Sequence, residues 1–498
     1  MPIPTPFPFR SPFHSFSAHA PGTVRRSRRA GPAPRALLAL VPLLLSACAS
    51  APPPAPVGEA HAYVLLGEEG AAVARVVVDA PACPEIAIDG RGQPMRVRAL
   101  PATLAQRPTA SSPADSKPSV FPLLTCETVL PAGAASASVL GMALPLPRAE
   151  PRRIVVVGDS GCRLKRKDNE FQECNDPELF PFATVAAAAA AWKPDLVIHV
   201  GDYHYRENAC PDGNAGCAGS PWGYGWDTWR ADLFGPAAPL LRAAPWIAAR
   251  GNHESCERAG QGWWRLLDTR PLLAGRDCDA PAADHVGDYS DPYAVPLGGG
   301  AQLLVMDTAA TTWRGLKPGD TGYEKYRDTY RKLDALARRA AWNIGVAHHP
   351  ILGVGAELKN GKLEWHKGDL GLQQSFGSLN PALLPSGMQA MISGHAHLWE
   401  QLSFATDHPS QFVAGISGSA EDTAPLPATL PPEAMPAAGV EVRHFSTWIG
   451  GFGFMALERM ERDGPGEWRV TLHDRHGAVK NRCRVSGRSS VCELAQVQ

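Results

Sequence analysis

The chain has little charge and no excess of either sign. Of its 498 residues 19% are charged, 48 basic against 49 acidic, for a formal net charge of -1. That balance excludes a generally basic nucleic-acid binder and a polyelectrolyte tail protein. Beyond the first 50 residues no apolar run is long enough to span a bilayer, which excludes a multi-span membrane protein. No CxxC pair occurs, which argues against a structural zinc site held by cysteines. There is no internal repeat, and the 48 Gly and 48 Pro follow no collagen period. Apolar residues make up 44%, so a loop-rich globular protein with a large core is expected.

Acid is also missing from residues 1–35, which carry six arginines, four of them at 25, 26, 28 and 29. An apolar run at 36–45 follows, too short for a mature membrane helix. A basic region, a short apolar region and small residues read as a secretory signal at 1–47. Leu45-Ser46-Ala47-Cys48 resembles the lipobox of bacterial lipoproteins. Cys48 is therefore the expected lipidation site, with the Pro/Ala-rich 48–59 as a tether. The implied location is the bacterial periplasm or outer membrane, with the membrane engaged only through the lipid. An ordinary secretory signal with a chance cysteine is the alternative, and twin-arginine export through Ser27-Arg28-Arg29 stays open. Removing 1–47 takes six arginines and no acid, and moves the net charge from -1 to -7.

Ten cysteines then remain, an even number suited to an oxidising compartment. Short loops close most readily, so the expected pairs are Cys83–Cys126, Cys162–Cys174, Cys210–Cys217, Cys256–Cys278 and Cys483–Cys492.

Alternating apolar runs broken by Gly, Pro and Ser predict a small β domain at 60–147, with a polar loop at 106–119 and a linker near 145–151. The pattern then changes. Buried-strand runs at 153–157, 196–200, 246–249, 302–306, 344–347 and 388–393 alternate with helical patterns at 178–192 and 323–342. Residues 451–474 return to strand pattern. An α/β catalytic domain at 152–498 is expected.

A polar cluster follows most of these strands: GDSG at 158–161, GDYHY at 201–205, GNHE at 251–254, AHHP at 347–350 and GHAH at 394–397. Carboxyl ends of strands are where α/β proteins gather their sites. The mixture of carboxylate, amide, phenol and imidazole donors suits first-row transition metals, and there are too many for one ion. Two metals activate water and clamp the oxygens of a phosphoryl displacement.

This series resembles the calcineurin-like metallophosphoesterase superfamily. Its common GDxH is replaced here by Gly161, and Tyr205 appears three residues after the second Asp. Both departures are similar to the purple acid phosphatase branch. The resemblance covers roughly 153–475 and implies a four-layer α/β-β/α sandwich. It implies Asp159, Tyr205 and His397 on one metal, Asn252, His348 and His395 on the other, and Asp202 bridging. His253 would touch the phosphate or protonate the leaving alkoxide. His-x-Pro spacing selects His348 as the ligand and puts His349 near the substrate; counting from Val346 selects His349 instead. A tyrosinate favours a trivalent ion, so Fe(III) with Fe, Zn or Mn(II) is expected. The implied activity is hydrolysis of small phosphate monoesters by a metal-activated hydroxide. A phosphodiesterase of the same superfamily, or a non-catalytic lipoprotein binding phosphorylated ligands, are the alternatives. No nucleic-acid binding is expected.

Other features have two readings. Trp222, Tyr224, Trp226 and Trp229 line a cleft or pack a loop. The run Arg163-Leu164-Lys165-Arg166-Lys167 steers anions or is a solvated loop. Trp263 and Trp264 read as core, and Glu254 as a residue that orients ligands.

Overall fold

The computed structural model describes residues 58–420, 423–460 and 466–497. The signal segment 1–47, Cys48 and most of the tether lie outside the described residues. No helix among them is long and apolar enough to cross a membrane.

The strand-forming runs collect into two large sheets. The parallel centre of the first is Arg153–Val157, Leu196–His199 and Trp246–Ala248, and that of the second is Ala301–Val305, Trp342–Val346, Met388–Ser393 and Ser410–Ala414. Side chains alternate across a strand. Ile154 and Val156 therefore meet Leu303, Val305, Ile344 and Ile392 of the facing sheet in one core. Val155 and Val157 turn outward onto helix Phe182–Ala191. On the far side, Leu304 and Met306 meet Tyr326, Tyr330 and Leu333 of helix Thr321–Ala337. Helix, sheet, sheet and helix make the expected four layers.

Two helices differ at their ends from the pattern. The first begins at Phe182, after Pro181, because a residue before proline is disfavoured in helical geometry. The second starts after Asp320 and stops at Ala337, leaving Trp342 to open the next strand.

The segment 60–147 is built mainly of strands, with short helical turns at Glu68–Gly70 and Pro113–Asp115. Strands Ala60–Leu66, Ala72–Val78, Leu124–Val129 and Arg96–Ala99 continue the first sheet, through a parallel contact of Leu65 with Trp246. Its attachment is electrostatic as well. Glu127 accepts from Arg75 (2.7 Å), Arg96 (2.9 Å) and Arg98 (3.0 Å). Arg75 and Arg98 are buried, and donate onward to Leu266 O (2.8 Å) and Arg265 O (3.0 Å). These are end carbonyls of helix Gly260–Leu266, groups that lack partners within a helix and attract cations. The cysteines pair as Cys83–Cys126, Cys162–Cys174, Cys210–Cys217, Cys256–Cys278 and Cys483–Cys492.

Burial works to raise the Glu127 carboxyl, but Arg75 and Arg98 overcome it and hold it below its usual value of 4.5. A depressed carboxylate stabilises the fold above the unfolded value and stops doing so as pH falls through the folded one. Glu127→Gln is expected to cost about 3–5 kcal/mol in urea unfolding at pH 7, because two buried guanidinium groups lose their counter-charge. The deficit of the variant should shrink below pH 4.5. A pH-independent deficit would show that Glu127 acts through packing alone.

Candidate active site

Five loops meet at the carboxyl ends of the two sheets. Residues 158–161, 201–205 and 251–254 come from the first sheet, and 347–350 and 394–397 from the second. The turns are tight. Asp159 (φ 54°), Asp202 (φ 55°) and His395 (φ 71°) all lie in the left-handed region, which costs a non-glycine residue about 1–3 kcal/mol and marks functional sites. The preceding glycines leave room. A Cβ on Gly251 would overlap the Asp202 carboxylate, and one on Gly394 would overlap that of Asp159. Gly161 has the same logic: a Cβ there would lie 2.7 Å from the Tyr205 amide nitrogen. A side chain at 161 would therefore collide with the backbone of the 201–205 loop and with Asp232.

The donors form two groups that share Asp202. In the first, Tyr205 Oη lies 2.9 Å from Asp159 Oδ1, 2.9 Å from Asp202 Oδ2 and 2.9 Å from His397 Nε2. One phenolic proton can serve only one of them. In the second, Asn252 Oδ1 lies 3.0 Å from His348 Nε2 and 3.0 Å from His395 Nδ1, and Asp202 Oδ2 lies 3.2 Å from His348 Nε2. The far nitrogens are already used. His348 Nδ1 donates to Val200 O (2.9 Å) and His397 Nδ1 to Ala420 O (2.6 Å), so each Nε2 faces the centre.

The electrostatics match a cation site. Burial, then Asp159 and Asp202, push the Tyr205 phenol well above its usual range, so only strong positive charge would deprotonate it. Burial works to lower His348, but Asp202 overrides it and raises the ring to about 9. Crowded oxygen and nitrogen acceptors with no lysine or arginine among them fit two metal ions.

His253 packs at a tilt of 35° against Tyr205 with ring centroids 4.0 Å apart, and its Nδ1 lies 2.8 Å from Glu207 Oε1. Burial, then Arg258, lowers His253 to about 4 against the pull of Asp202 and Glu207. Glu254 Oε2 accepts from Asp202 N and Gly251 N (3.0 Å each), and Oε1 accepts from Tyr203 N (2.9 Å).

His349 is not where a substrate-contacting residue is expected, and one of its ring nitrogens lies within 4.8 Å of those of His348 and His395. It is buried, its Nδ1 lies 3.1 Å from Thr308 Oγ1, and its ring packs 4.3 Å from His395. It is not on the wall of the cavity above the centre. That cavity holds about 520 Å³ and exposes Asp202, Tyr205, Asn252, His253, His395 and His397. The hairpin of Val354–Lys359 and Lys362–Lys367 walls it, with Trp313 at the mouth. Tyr224, Trp226 and Trp229 pack into the core with Phe234 and take no part in the cavity.

Glu207 and Asp232 are site residues that sequence reasoning did not single out, and the loop at 351–378, expected to shape the substrate site, takes the form of the hairpin. Asp232 is buried and accepts from Tyr205 N (2.9 Å) and Cys162 N (3.1 Å), fixing the backbone on both sides of the phenol. Asn360-Gly361, a hairpin-turn pair, was the legible signal for the hairpin. Glu207 and Asp232 had none.

The family model of the calcineurin-like phosphoesterases matches residues 152–398, the span that carries all five loops. Among solved structures, the purple acid phosphatase PPD1 from yellow lupin (Lupinus luteus) seeds is similar, with a TM-score of 0.51 at 14% identity over 87% of this chain and 74% of that one. A structure of PhoD aligns with a TM-score of 0.46 at 11% identity over 88% of this chain and 91% of that one. No curated protein sequence matches significantly. At these identities the lupin structure speaks for the fold, while the family match falls on the loops that build the centre. Over residues 152–398 the chain belongs to the calcineurin-like phosphoesterase family, a hydrolase of phosphoric esters whose fold implies a two-metal centre at this site.

Proposed function

We propose that this protein is an exported, lipid-anchored phosphomonoesterase of the purple acid phosphatase kind. The observation that carries the reading is the position of Tyr205 Oη, 2.9 Å from both Asp159 and Asp202 and from His397. Asp159, Tyr205 and His397 would hold Fe(III); Asn252, His348 and His395 would hold Fe, Zn or Mn(II); Asp202, which touches both groups, would bridge. The contact of His348 with Asn252 and Asp202 favours it over His349 as the ligand, and His349 then supports the ring of His395.

When bound, such ions supply an acidified water and a positive field over the phosphoryl oxygens. The chain's residues do the rest. His253 faces the cavity from beside Asp202 and hydrogen-bonds the ester, at a phosphoryl or leaving oxygen. Glu207 fixes the ring and stabilises its protonated form. The hairpin holds the alcohol portion against the floor and excludes water. Two aspartates and a tyrosinate leave a trivalent–divalent pair with positive charge to spare, which favours a dianionic monoester over a diester.

Five disulfides point to an oxidising, extracytoplasmic compartment. Cleavage before Cys48 and its lipidation complete the proposal, and mass spectrometry of the membrane fraction tests them.

Three outcomes are expected at the centre. The purified protein should hold about two metals per chain and show a broad visible band that Tyr205→Phe removes. Two metals without a band would discard Fe(III)–tyrosinate and keep the phosphoesterase. Asp202→Asn should lose metal and reduce kcat about 10³-fold on p-nitrophenyl phosphate, whereas a normal metal content with normal turnover would remove Asp202 from the bridge. Glu207→Gln should keep its metals, band and KM, yet lower kcat about 10–100-fold; an unchanged kcat would leave His253 without a positioning partner. A bis-aryl diester turned over faster than the monoester would reassign the enzyme as a phosphodiesterase.

A further inference from the structure

The basic run at 163–167 divides. Its first two cations turn inward, while Arg166 and Lys167 are exposed. Arg163 and Lys165 have side chains only 10% and 17% exposed, and both line the catalytic cavity. Lys165 also lines a second cavity of about 390 Å³, together with Arg166, Lys167 and Arg258. Glu207 forms part of that wall too, 2.8 Å from His253. The two cavities are therefore neighbours, and the second opens beside the residue expected to touch the ester.

Four cations and three carboxylates share the side cavity, and the carboxylates are already engaged. Asp168 lies 2.5 Å from Lys165, Asp115 lies 3.1 Å from Arg166, and Glu207 is held between His253 and Arg258 (3.5 Å). Lys167 has no carboxylate partner among the described residues, and Arg258 Nη1 is buried with no hydrogen-bond partner. A buried guanidinium N–H left unpaired is costly, so an acceptor brought beside Arg258 would stabilise it. The remaining wall comes from the N-terminal segment. Ala110, Ser111 and Ser112 close the cavity, and Asn208 Nδ2 donates to Ser111 Oγ (3.0 Å), locking that loop onto the catalytic domain.

We propose that the side cavity is an anion subsite: the substrate is a phosphate ester bearing a second anionic group, which Lys167 and Arg258 receive while the reacting phosphoryl group sits in the main cavity. The inference rests on the phosphomonoesterase reading and deepens it by naming the substrate class. It also gives the loop at 106–119 a role, as the lid of this subsite.

The test compares fructose 1,6-bisphosphate with fructose 6-phosphate on the full chain, in the wild type and in Lys167→Glu. Lys167 is exposed, so folding should be unaffected. The wild type is expected to show a KM about tenfold lower for the bisphosphate. Lys167→Glu should abolish that preference by raising KM for the bisphosphate alone, with kcat/KM for fructose 6-phosphate within about twofold of wild type. Equal KM values in the wild type, or a parallel loss on both esters in the variant, would overturn the subsite. Hydrolysis of neither ester would count against the phosphomonoesterase reading instead. Calorimetry with inorganic pyrophosphate then decides the subsite separately: affinity weakened about tenfold by Lys167→Glu upholds it, and unchanged affinity overturns it, leaving water as the partner of Arg258.

Discussion

One buried carboxylate ties the centre together. Glu254 has no access to solvent, and its two oxygens gather amide protons from Gly251, Asp202, Tyr203 and, at 3.3 Å, His204. Three of those amides belong to the 201–205 loop and one to the 251–254 loop. The glutamate therefore does what a backbone ladder does elsewhere, at a place where the strands have ended and no ladder is available. It holds Asp202 in its left-handed conformation and so aims the shared carboxylate between the two donor groups. The lateral position of Asn252 is set by the same clamp.

A second layer repeats the device around Tyr205. Asp232 collects the amides of Tyr205 and Cys162 and the Arg206 guanidinium (2.6 Å). Gln172 takes the amides of Arg163 (2.9 Å) and Ala420 (3.0 Å), and the carbonyl of Ala420 in turn receives His397 Nδ1. Ligand-bearing loops are thus held by side chains from outside the motifs. Pre-organisation of this kind fixes oxygen and nitrogen donors close together without lysine or arginine between them, an arrangement that repels itself until positive charge arrives.

What the sequence revealed follows from how local each signal was. The runs at 153–157, 196–200 and 388–393 are continuous and apolar because those strands are buried on both faces, and the polar turn after each marks its end. The cysteine pairs are consecutive in the chain, so the preference for short loops pointed to them. His199 and His204 lie in or beside the motifs yet serve the backbone and loops, bonding Ser160 Oγ (2.9 Å) and Gly223 O (2.8 Å). The illegible parts are those whose partner lies far along the chain. Nothing near Glu207 announces His253, nothing near Asp232 announces Cys162, and no period in 60–147 says that its first strand will pair with Trp246. The tryptophans at 226 and 229 had the composition of a cleft, yet burial against Phe234 and Trp263 claimed them. Choosing between those uses requires the tertiary contact itself.

The parallel pairing of Leu65 with Trp246 also sets an order of events. Ala60–Leu66 and Ala72–Val78 can zip into a hairpin as soon as they are made, because they are antiparallel neighbours. Their outer edge then has no mate until Trp246 has emerged, 168 residues beyond Val78. Throughout that interval an apolar strand offers open amides and carbonyls to any other chain in the same state. Arg75 and Arg98 wait equally long for the carbonyls of Trp264 to Leu266. A segment synthesised before the catalytic strands is therefore among the last to be completed, and its vulnerability to aggregation depends on how fast residues 153–270 assemble behind it.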